Sequence, residues 1–201
     1  MAFRVVTIDG PAGAGKTTVS RALAKELGCI YVDTGALYRG VAYEIRQRNI
    51  DWKNDESLET FLSGLDLNFM MVNGELILMS SGKDISGFIR TPEISMLASA
   101  TSAKPAVRKA LLDIQRNISL SQDAVFEGRD MGTVVFPDAQ FKFFLSADLS
   151  VRAKRRYDEM DEPAGDVKQV LEDMKTRDQN DSQRETAPLK AAEDAIPVDS
   201  T

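Results

Sequence analysis

The sequence has no histidine and a single cysteine, Cys29, among its 201 residues. The missing histidine excludes Ser-His-Asp and Cys-His catalysis and histidine-ligated zinc. A lone cysteine excludes an internal disulfide and a cysteine metal cluster, and we expect Cys29 to be a small buried residue at the start of a strand. Any chemistry must therefore depend on Lys, Arg, Asp, Glu and hydroxyl side chains.

Long apolar runs are missing too. No stretch approaches the ~18–20 residues that span a bilayer, and residues 1–15 lack the pattern of a signal peptide. We therefore expect a cytoplasmic protein without a membrane partner. The length suits one folding unit with room for an inserted subdomain.

Positive charge is in deficit, with 25 basic against 31 acidic residues and a net charge of −6. This balance argues against a general nucleic-acid surface. Arginines are nevertheless concentrated at Arg152, Arg155 and Arg156, and again at Arg177 and Arg184. In an acidic chain, such arginines suit small phosphorylated ligands.

A glycine-rich stretch with the pattern G-x-x-x-x-G-K-[ST] is present near the start of the chain. It consists of Gly10, Pro11, Ala12, Gly13, Ala14, Gly15, Lys16 and Thr17. The pattern predicts a phosphate-binding loop in which Lys16 reaches the β- and γ-phosphates of ATP and the Thr17 hydroxyl ligates Mg²⁺. A glycine-rich turn with a chance lysine is the alternative, which the apolar strand pattern before it and the amphipathic helix after it disfavour.

Strand and helix patterns alternate along most of the chain, which predicts a parallel sheet with helices on both faces. The first helix should end at Leu27, with Gly28 as its cap and Val19, Ala22, Leu23 and Leu27 on its apolar face. Strands are expected at 29–32, 124–126, 141–145 and 195–198. Polar residues follow two of them, at 33–35 and 127–130, where ligands of such sheets bind. A salt-bridged turn at 127–130 and a solvated Arg39 remain the structural alternatives.

One segment interrupts this alternation. Residues 67–72 and 75–79 flank Asn73-Gly74, the strongest short hairpin signal, and residues 83–89 could add a third strand. We expect a small antiparallel sheet at about 66–89, and the acidic residues 158–165 suggest a mobile loop.

A phosphate loop alone fits a switch GTPase, a motor ATPase or a small-molecule kinase. The guanine-reading string Asn-Lys-x-Asp is absent from the sequence, which argues against the GTPase. Arginines on four separate segments suggest a second anionic ligand opposite ATP: Arg39, Arg108, Arg129 and Arg184. Transfer to a phosphate acceptor needs no general base, because that oxygen is already ionised, so the missing histidine is no obstacle.

Five motifs together resemble the bacterial cytidylate kinase family, nearly from end to end. They are residues 8–16 (IDGPAGAGK), 33–39 (DTGALYR), 86–90 (SGFIR), 128–139 (GRDMGTVVFPDA), and Arg177-Asp178 with residues 187–189 (APL). The GRDMGT string and the antiparallel insertion distinguish this family from other nucleoside monophosphate kinases.

The resemblance implies a P-loop NTPase-type fold that phosphorylates CMP and dCMP with ATP and Mg²⁺ by direct in-line transfer. An inserted subdomain at 36–92 would bind the monophosphate, and residues 152–167 would form a lid over ATP; a monomer is expected. Thr34, Arg39, Arg129 and Arg184 would hold the acceptor phosphate, Ser99, Arg108 and Asp130 would read the cytosine, and Asp181 would bind the ribose. ATP would contact residues 10–17, Thr18 and Arg155, while Lys16, Arg129, Arg184, Arg152 and Arg156 would form the catalytic set.

The sequence departs from the family pattern at two points. Many relatives have Asp where this chain has Glu127, and the family continues beyond Thr201 with another helix. The alternatives left open are a kinase of the same fold for shikimate or gluconate, and a module that binds ATP without turnover.

Overall fold

The computed structural model describes residues 3–159 and 166–201. The strands are β1 (Val5–Asp9), β2 (Ile30–Asp33), β3 (Leu67–Val72), β4 (Glu75–Ser80), β5 (Lys83–Asp84), β6 (Ala124–Gly128), β7 (Phe141–Ser146) and β8 (Ile196–Asp199). The helices are α1 (Lys16–Leu27), α2 (Thr34–Gln47), α3 (Asp55–Ser63), α4 (Pro92–Thr101), α5 (Pro105–Ile118), α6 (Leu149–Asp158) and α7 (Val167–Gln183). A π-helical turn at Met131–Val135 follows β6.

Five of these strands form a parallel sheet in the order β2-β6-β1-β7-β8, which confirms the predicted fold class. Its interior is built from almost inaccessible apolar side chains, among them Ile8, Val32 and Phe126. The register sets Asp9 beside Gly128 and Asp33 beside Glu127. The segments that follow β1, β2 and β6 therefore meet at one edge, where a parallel sheet presents its ligand site.

A separate antiparallel sheet, β3-β4-β5, confirms the predicted hairpin. Asn73 and Gly74 have φ values of 51° and 83°, the positive pair that a tight two-residue hairpin turn requires. The third strand spans only two residues rather than 83–89. Beyond it, the Ile85 N–H still donates to the Leu78 carbonyl oxygen, but the Leu78 N–H donates to the Ser86 hydroxyl and the Ser86 N–H to the Asp84 carboxylate. Side-chain bonds therefore interrupt the ladder after Asp84.

Helix α1 ends at Leu27, with Gly28 as its left-handed cap, as predicted. The predicted apolar face is wrong, because Val19 and Leu27 are exposed. The buried residues are Lys16, Ser20 and Ala24, spaced four apart. Residues four apart share one face of a helix. The face that begins with the buried Lys16 is therefore the face of α1 that is turned inward.

Cys29 lies just before β2 and is partly exposed, so the prediction of a buried residue at the start of a strand is wrong. Helix α2 begins at Thr34, where the Asp33 side chain accepts a hydrogen bond from the Ala36 N–H at 3.2 Å. No helix in the described part of the chain is long and apolar enough to cross a membrane. The predicted loop at 158–165, apart from residues 158 and 159, lies outside the described residues.

Candidate active site

A cavity of about 670 Å³ opens at the carboxyl edge of the parallel sheet. The phosphate loop and the start of α1 form one wall, the segments after β2 and β6 form another, and α4, α6 and α7 complete it. Most of the predicted site residues line it: Ala12, Gly13, Gly15, Lys16, Thr17, Thr18, Thr34, Arg39, Ser99, Arg108, Arg129, Asp130, Arg155, Arg156, Asp181 and Arg184. Gly10, Pro11, Ala14 and Arg152 are not among the described lining residues.

The phosphate loop adopts a tightly curved backbone. Gly10 has a φ of 148°, and a Cβ there would lie 2.0 Å from the Leu145 carbonyl oxygen. Gly15 has a φ of 77° and precedes the first residue of α1, where helix N–H groups are free to meet an anion. Only glycine fits at position 10, and the left-handed backbone conformation at position 15 favours glycine there.

Lys16 is buried, and its Nζ donates to the Pro11 carbonyl oxygen at 2.8 Å. Burial and, to a smaller extent, the nearby Arg129 cation lower the pKa of Lys16 to about 7. The side chain is thus held inside the loop as a weakly protonated amine that a phosphate would recharge.

Thr17 and Glu127 are joined by a hydrogen bond of 3.0 Å from Oγ1 to Oε1, and the Tyr31 hydroxyl donates to the other Glu127 oxygen at 2.6 Å. Burial and two carboxylates raise the pKa of Tyr31. The described residues contain no group of three or more His, Cys, Asp or Glu able to hold a metal alone. Hard oxygen donors beside a phosphate loop nevertheless fit Mg²⁺, which prefers one or two protein ligands together with substrate phosphates.

Asp130 forms a buried ionic cluster at the opposite end of the cavity. Its carboxylate accepts a hydrogen bond from Arg108 Nη2 and lies 3.5 Å from Arg184 Nη2. Arg108 and Arg184 also donate to the backbone and hydroxyl oxygens of Ser102, respectively. The two arginines offset part of the cost of burying the Asp130 carboxylate, which is almost inaccessible to solvent.

Asp181, on α7, connects this cluster to the segment after β6. It accepts hydrogen bonds from Ser99 Oγ at 3.3 Å and from Arg129 Nε at 3.2 Å. Arg177 and Arg184 approach it to 4.0 and 3.9 Å. One carboxylate therefore orients three arginines around the middle of the cavity.

Three arginines in the cavity wall have a buried N–H without a hydrogen-bond partner in the described part of the chain. These atoms are Arg39 Nε, Arg177 Nε and Arg184 Nη2. An unsatisfied buried donor on a charged group is costly, typically more than the 1–3 kcal/mol of a neutral one. Arg177 Nε and Arg184 Nη2 have carboxylates only at ion-pair range, 4.0 Å from Asp181 and 3.5 Å from Asp130, so all three arginines retain the capacity to donate to an anion in the cavity.

Thr34 and Arg39 lie on α2 at the same edge. The Thr34 hydroxyl donates to the Glu127 carbonyl oxygen at 2.6 Å, which ties α2 to β6. Arg39 pairs with Asp33 at 2.7 Å, and Arg90 reaches the same carboxylate at 3.5 Å.

The three arginines of α6 occupy different surroundings. Arg152 is buried, donates to the Ala12 carbonyl oxygen at 3.1 Å and pairs with Asp178 at 2.7 Å, so it braces the phosphate loop from outside the cavity. Arg155 donates to the Ser200 carbonyl oxygen at 2.6 Å, and Arg156 faces Glu159 at 3.5 Å. Residues 160–165 of the predicted lid lie outside the described residues.

Several cavity residues received no role from the sequence: Arg177, Tyr38, Asp33, Arg90 and Ser200. Burial lowers the pKa of Arg177 to about 10, with a further contribution from Arg129. Tyr38 lies under the Arg108 guanidinium at 5.3 Å, and burial raises its pKa to about 12. Arg177 and Tyr38 both belong to motifs that resemble the cytidylate kinase family, and those motifs were the only sign in the sequence that they lie in the site. Nothing in the sequence marked Ser200.

Comparison with known proteins identifies the family. A model of the cytidylate kinase family matches residues 6–201. The chain belongs to the cytidylate kinase family. A cytidylate kinase of Geobacter sp. (strain M21) is 44% identical over 199 residues, which cover 98% of this chain and 85% of that protein. A cytidylate kinase of Caldanaerobacter subterraneus subsp. tengcongensis is 46% identical over 198 residues, covering 98% and 87%.

Membership in the cytidylate kinase family confirms the resemblance and the prediction of a kinase.

Solved structures are less similar to this chain than these sequence relatives are. TT1252 from Thermus thermophilus has a TM-score of 0.46 and 19% identity, over 100% of this chain and 90% of that one. A shikimate kinase from Acinetobacter baumannii, in complex with shikimate, has a TM-score of 0.38 and 16% identity, over 89% and 78%. Both are too distant to support an argument about the site.

Proposed function

We propose that this protein transfers the γ-phosphoryl group of ATP to CMP and dCMP in a single in-line step that requires Mg²⁺. The observation that carries the proposal is that the cavity containing the phosphate loop is also lined by Arg39, Arg177 and Arg184, each of which has a buried N–H that makes no hydrogen bond to a described residue. Arg177 Nε and Arg184 Nη2 have carboxylates only at ion-pair range, at 4.0 and 3.5 Å. The loop supplies the site for ATP, and the arginines supply the site for a second phosphate.

ATP would bind along the phosphate loop, with its phosphates against the backbone of residues 10–18. Lys16 would leave the Pro11 carbonyl oxygen for the β- and γ-phosphates. Thr17, with Glu127 beside it, would hold Mg²⁺, which neutralises phosphate charge when bound. Arg155 would contact the nucleotide from α6.

CMP would bind with its phosphate toward Thr34, Arg39, Arg129 and Arg184, and with its ribose against Asp181. Its base would reach Ser99, Arg108 and Asp130, where a carboxylate accepts from the exocyclic amine of cytosine. Uracil presents a carbonyl oxygen there, which a carboxylate repels. This difference favours CMP over UMP.

Catalysis would rest on positioning and charge neutralisation rather than on proton transfer. The acceptor oxygen is already ionised at neutral pH, so the chain needs no general base. Arg129 and Arg177 line the same cavity as the phosphate loop and would neutralise the charge that develops on the transferring group. Lys16, Arg184 and Arg156 would complete this positive surface, with Arg152 fixing the loop.

Two further parts of the chain are expected to serve this reaction. Residues 36–92 would act as a subdomain that binds the monophosphate, and residues 152–167 as a lid that excludes water from the phosphates. Both are consistent with the placement of Arg39 on α2 and of Arg155 and Arg156 on α6.

A panel of acceptors tests the proposal. ADP release would be measured with ATP and Mg²⁺ for CMP, dCMP, UMP, AMP, shikimate and gluconate, with Lys16→Met as the inactive control. We expect fast turnover with CMP and dCMP and slower turnover with UMP. Preference for shikimate or gluconate, or ATP binding without turnover of any acceptor, would contradict it.

A further inference from the structure

Asp9 lies outside the cavity lining but adjoins both of its halves. It is the last residue of β1, and the phosphate loop begins at the next residue, Gly10. Its side chain is only 4% exposed. Oδ1 accepts a hydrogen bond from the Met131 N–H at 2.9 Å, and Oδ2 accepts one from the Gly132 N–H at 2.8 Å.

The two donors are the first N–H groups of the π-helical turn. The N–H groups of Val134 and Val135 already find a partner in the Asp130 carbonyl oxygen. The Asp130 side chain makes no capping bond to the turn, so Asp9 satisfies the opening N–H groups in its place. A buried N–H left unpaired would be costly, which gives this contact a structural consequence.

Asp9 holds both ends of the short segment between β6 and the π-helical turn. Gly128, at the end of β6, is the register partner of Asp9 across the sheet. Met131 and Gly132 are bound by the Asp9 carboxylate. Between these anchors stand only Arg129 and Asp130.

Close packing makes this geometry intolerant of displacement. A Cβ on Gly132 would lie 3.0 Å from Thr7 Oγ1 and 3.2 Å from Lys142 Cδ, so the turn rests directly on β1 and β7. Any shift of the turn must therefore move Arg129 and Asp130 relative to the loop.

We propose that Asp9 is a positioning residue that fixes Arg129 and Asp130 on the acceptor side against the phosphate loop on the donor side. The inference rests on the proposed function, because it assigns the acceptor to that end of the cavity. Asp9 touches neither nucleotide in this arrangement; it acts through the backbone of the turn.

The substitution Asp9→Asn tests this with little change in volume. The amide retains one acceptor and places an N–H group opposite a backbone N–H, so one of the two bonds is lost. Thr7→Val is the matched control: Thr7 is equally buried on the same strand, and its hydroxyl has no hydrogen-bond partner among the described residues.

The measurements are kcat and KM for CMP and UMP, the Kd of a non-hydrolysable ATP analogue, and Tm. For Asp9→Asn we expect kcat/KM for CMP to fall at least tenfold and the CMP-to-UMP preference to fall at least threefold, with the Kd of the ATP analogue within twofold of wild type. For Thr7→Val we expect an unchanged preference. A lowered Tm with unchanged kinetics and preference in Asp9→Asn would reduce Asp9 to a structural role and overturn the inference.

Should Asp9→Asn fail to fold, Gly132→Ala decides the question, because it displaces the turn without altering the Asp9 charge. The same loss of CMP preference is expected, and an unchanged preference overturns the inference. Absence of CMP turnover in the wild-type protein would overturn the proposed function and this inference together. Wild-type turnover with a normal preference in both variants would overturn this inference alone.

Discussion

Arg129 donates from Nε to Oδ2 of Asp181 over 3.2 Å, which joins the segment after β6 to α7. The guanidinium also donates from Nη1 to the Gly128 carbonyl oxygen, so its plane is fixed at two points. Asp181 in turn accepts from Ser99. Arg129, which we propose binds phosphate, and Asp181, which we propose binds the ribose, are therefore oriented by each other.

Arg129→Ala should reduce kcat with CMP by at least about 10²-fold, because it removes a preorganised cation from the position of the transferring phosphoryl group. The affinity for ATP should change only a few-fold. Steady-state kinetics and titration with an ATP analogue measure the two quantities. Arg46→Ala, which breaks an exposed pair with Glu93, is the control and should leave both unchanged. Near-normal turnover in Arg129→Ala would contradict the assigned role.

Asp130→Asn should lower the preference for CMP over UMP by at least about tenfold, since an amide can donate to the uracil oxygen that a carboxylate repels. Both asparagine and alanine remove the negative charge that faces Arg108 and Arg184, but asparagine keeps an oxygen that can accept from Arg108 and alanine does not, so asparagine disturbs the site less. Competition between the two monophosphates measures the ratio. An unchanged ratio in a folded variant would exclude Asp130 from base recognition.

ATP binding should take up close to one proton at pH 8. Burial lowers the pKa of Lys16 to about 7 in the ligand-free protein, so the amine is mostly neutral at pH 8, and phosphate binding favours its ammonium form. At pH 6 the amine is already protonated and the uptake should vanish. Calorimetry in buffers of different ionisation enthalpy gives the proton number. Lys16→Arg, which stays protonated, should show no uptake at pH 8; equal uptake in both proteins would assign the proton elsewhere.

Two glycines of the phosphate loop should respond differently to alanine. At Gly10 the new Cβ would meet the Leu145 carbonyl oxygen at 2.0 Å, so Gly10→Ala should displace the loop from the sheet and abolish ATP binding. At Gly15 no atom lies within 4 Å, and only the left-handed φ opposes a side chain, at a cost of roughly 1–2 kcal/mol. Thermal melts and ATP titrations compare them. If the two variants lost Tm and ATP affinity equally, backbone strain rather than the close approach to Leu145 would explain the effect at Gly10.

The sequence predicted those parts of the fold that depend on local patterns. The phosphate loop, the Asn73-Gly74 hairpin and the Gly28 cap each have a short-range signature. The apolar face of α1 was missed because the buried position of Lys16, not the count of apolar residues, orients the helix. The π-helical turn was missed because its first two N–H groups donate to the Asp9 carboxylate, which lies more than 120 residues earlier in the sequence.

The candidate site shows the same division. Its residues come from segments between the phosphate loop and Arg184, and no local pattern says that Ser99 lies within reach of Asp181. The family resemblance grouped them, and their roles remain proposals. Ser200 could not be inferred, because its approach to the loop depends on β8 pairing with β7 at the far side of the sheet.

The clustering of arginines also governs how nucleotides reach the protein. Cations outnumber carboxylates by nine to five among the described cavity residues, although the whole chain carries a charge of −6. A positive cleft in a negative surface focuses the electrostatic field of the protein. Nucleotide polyanions are therefore repelled by most of the surface and attracted to the opening of the cavity. Nucleotide association should therefore slow as ionic strength rises, opposite to the sign that the net charge alone would give.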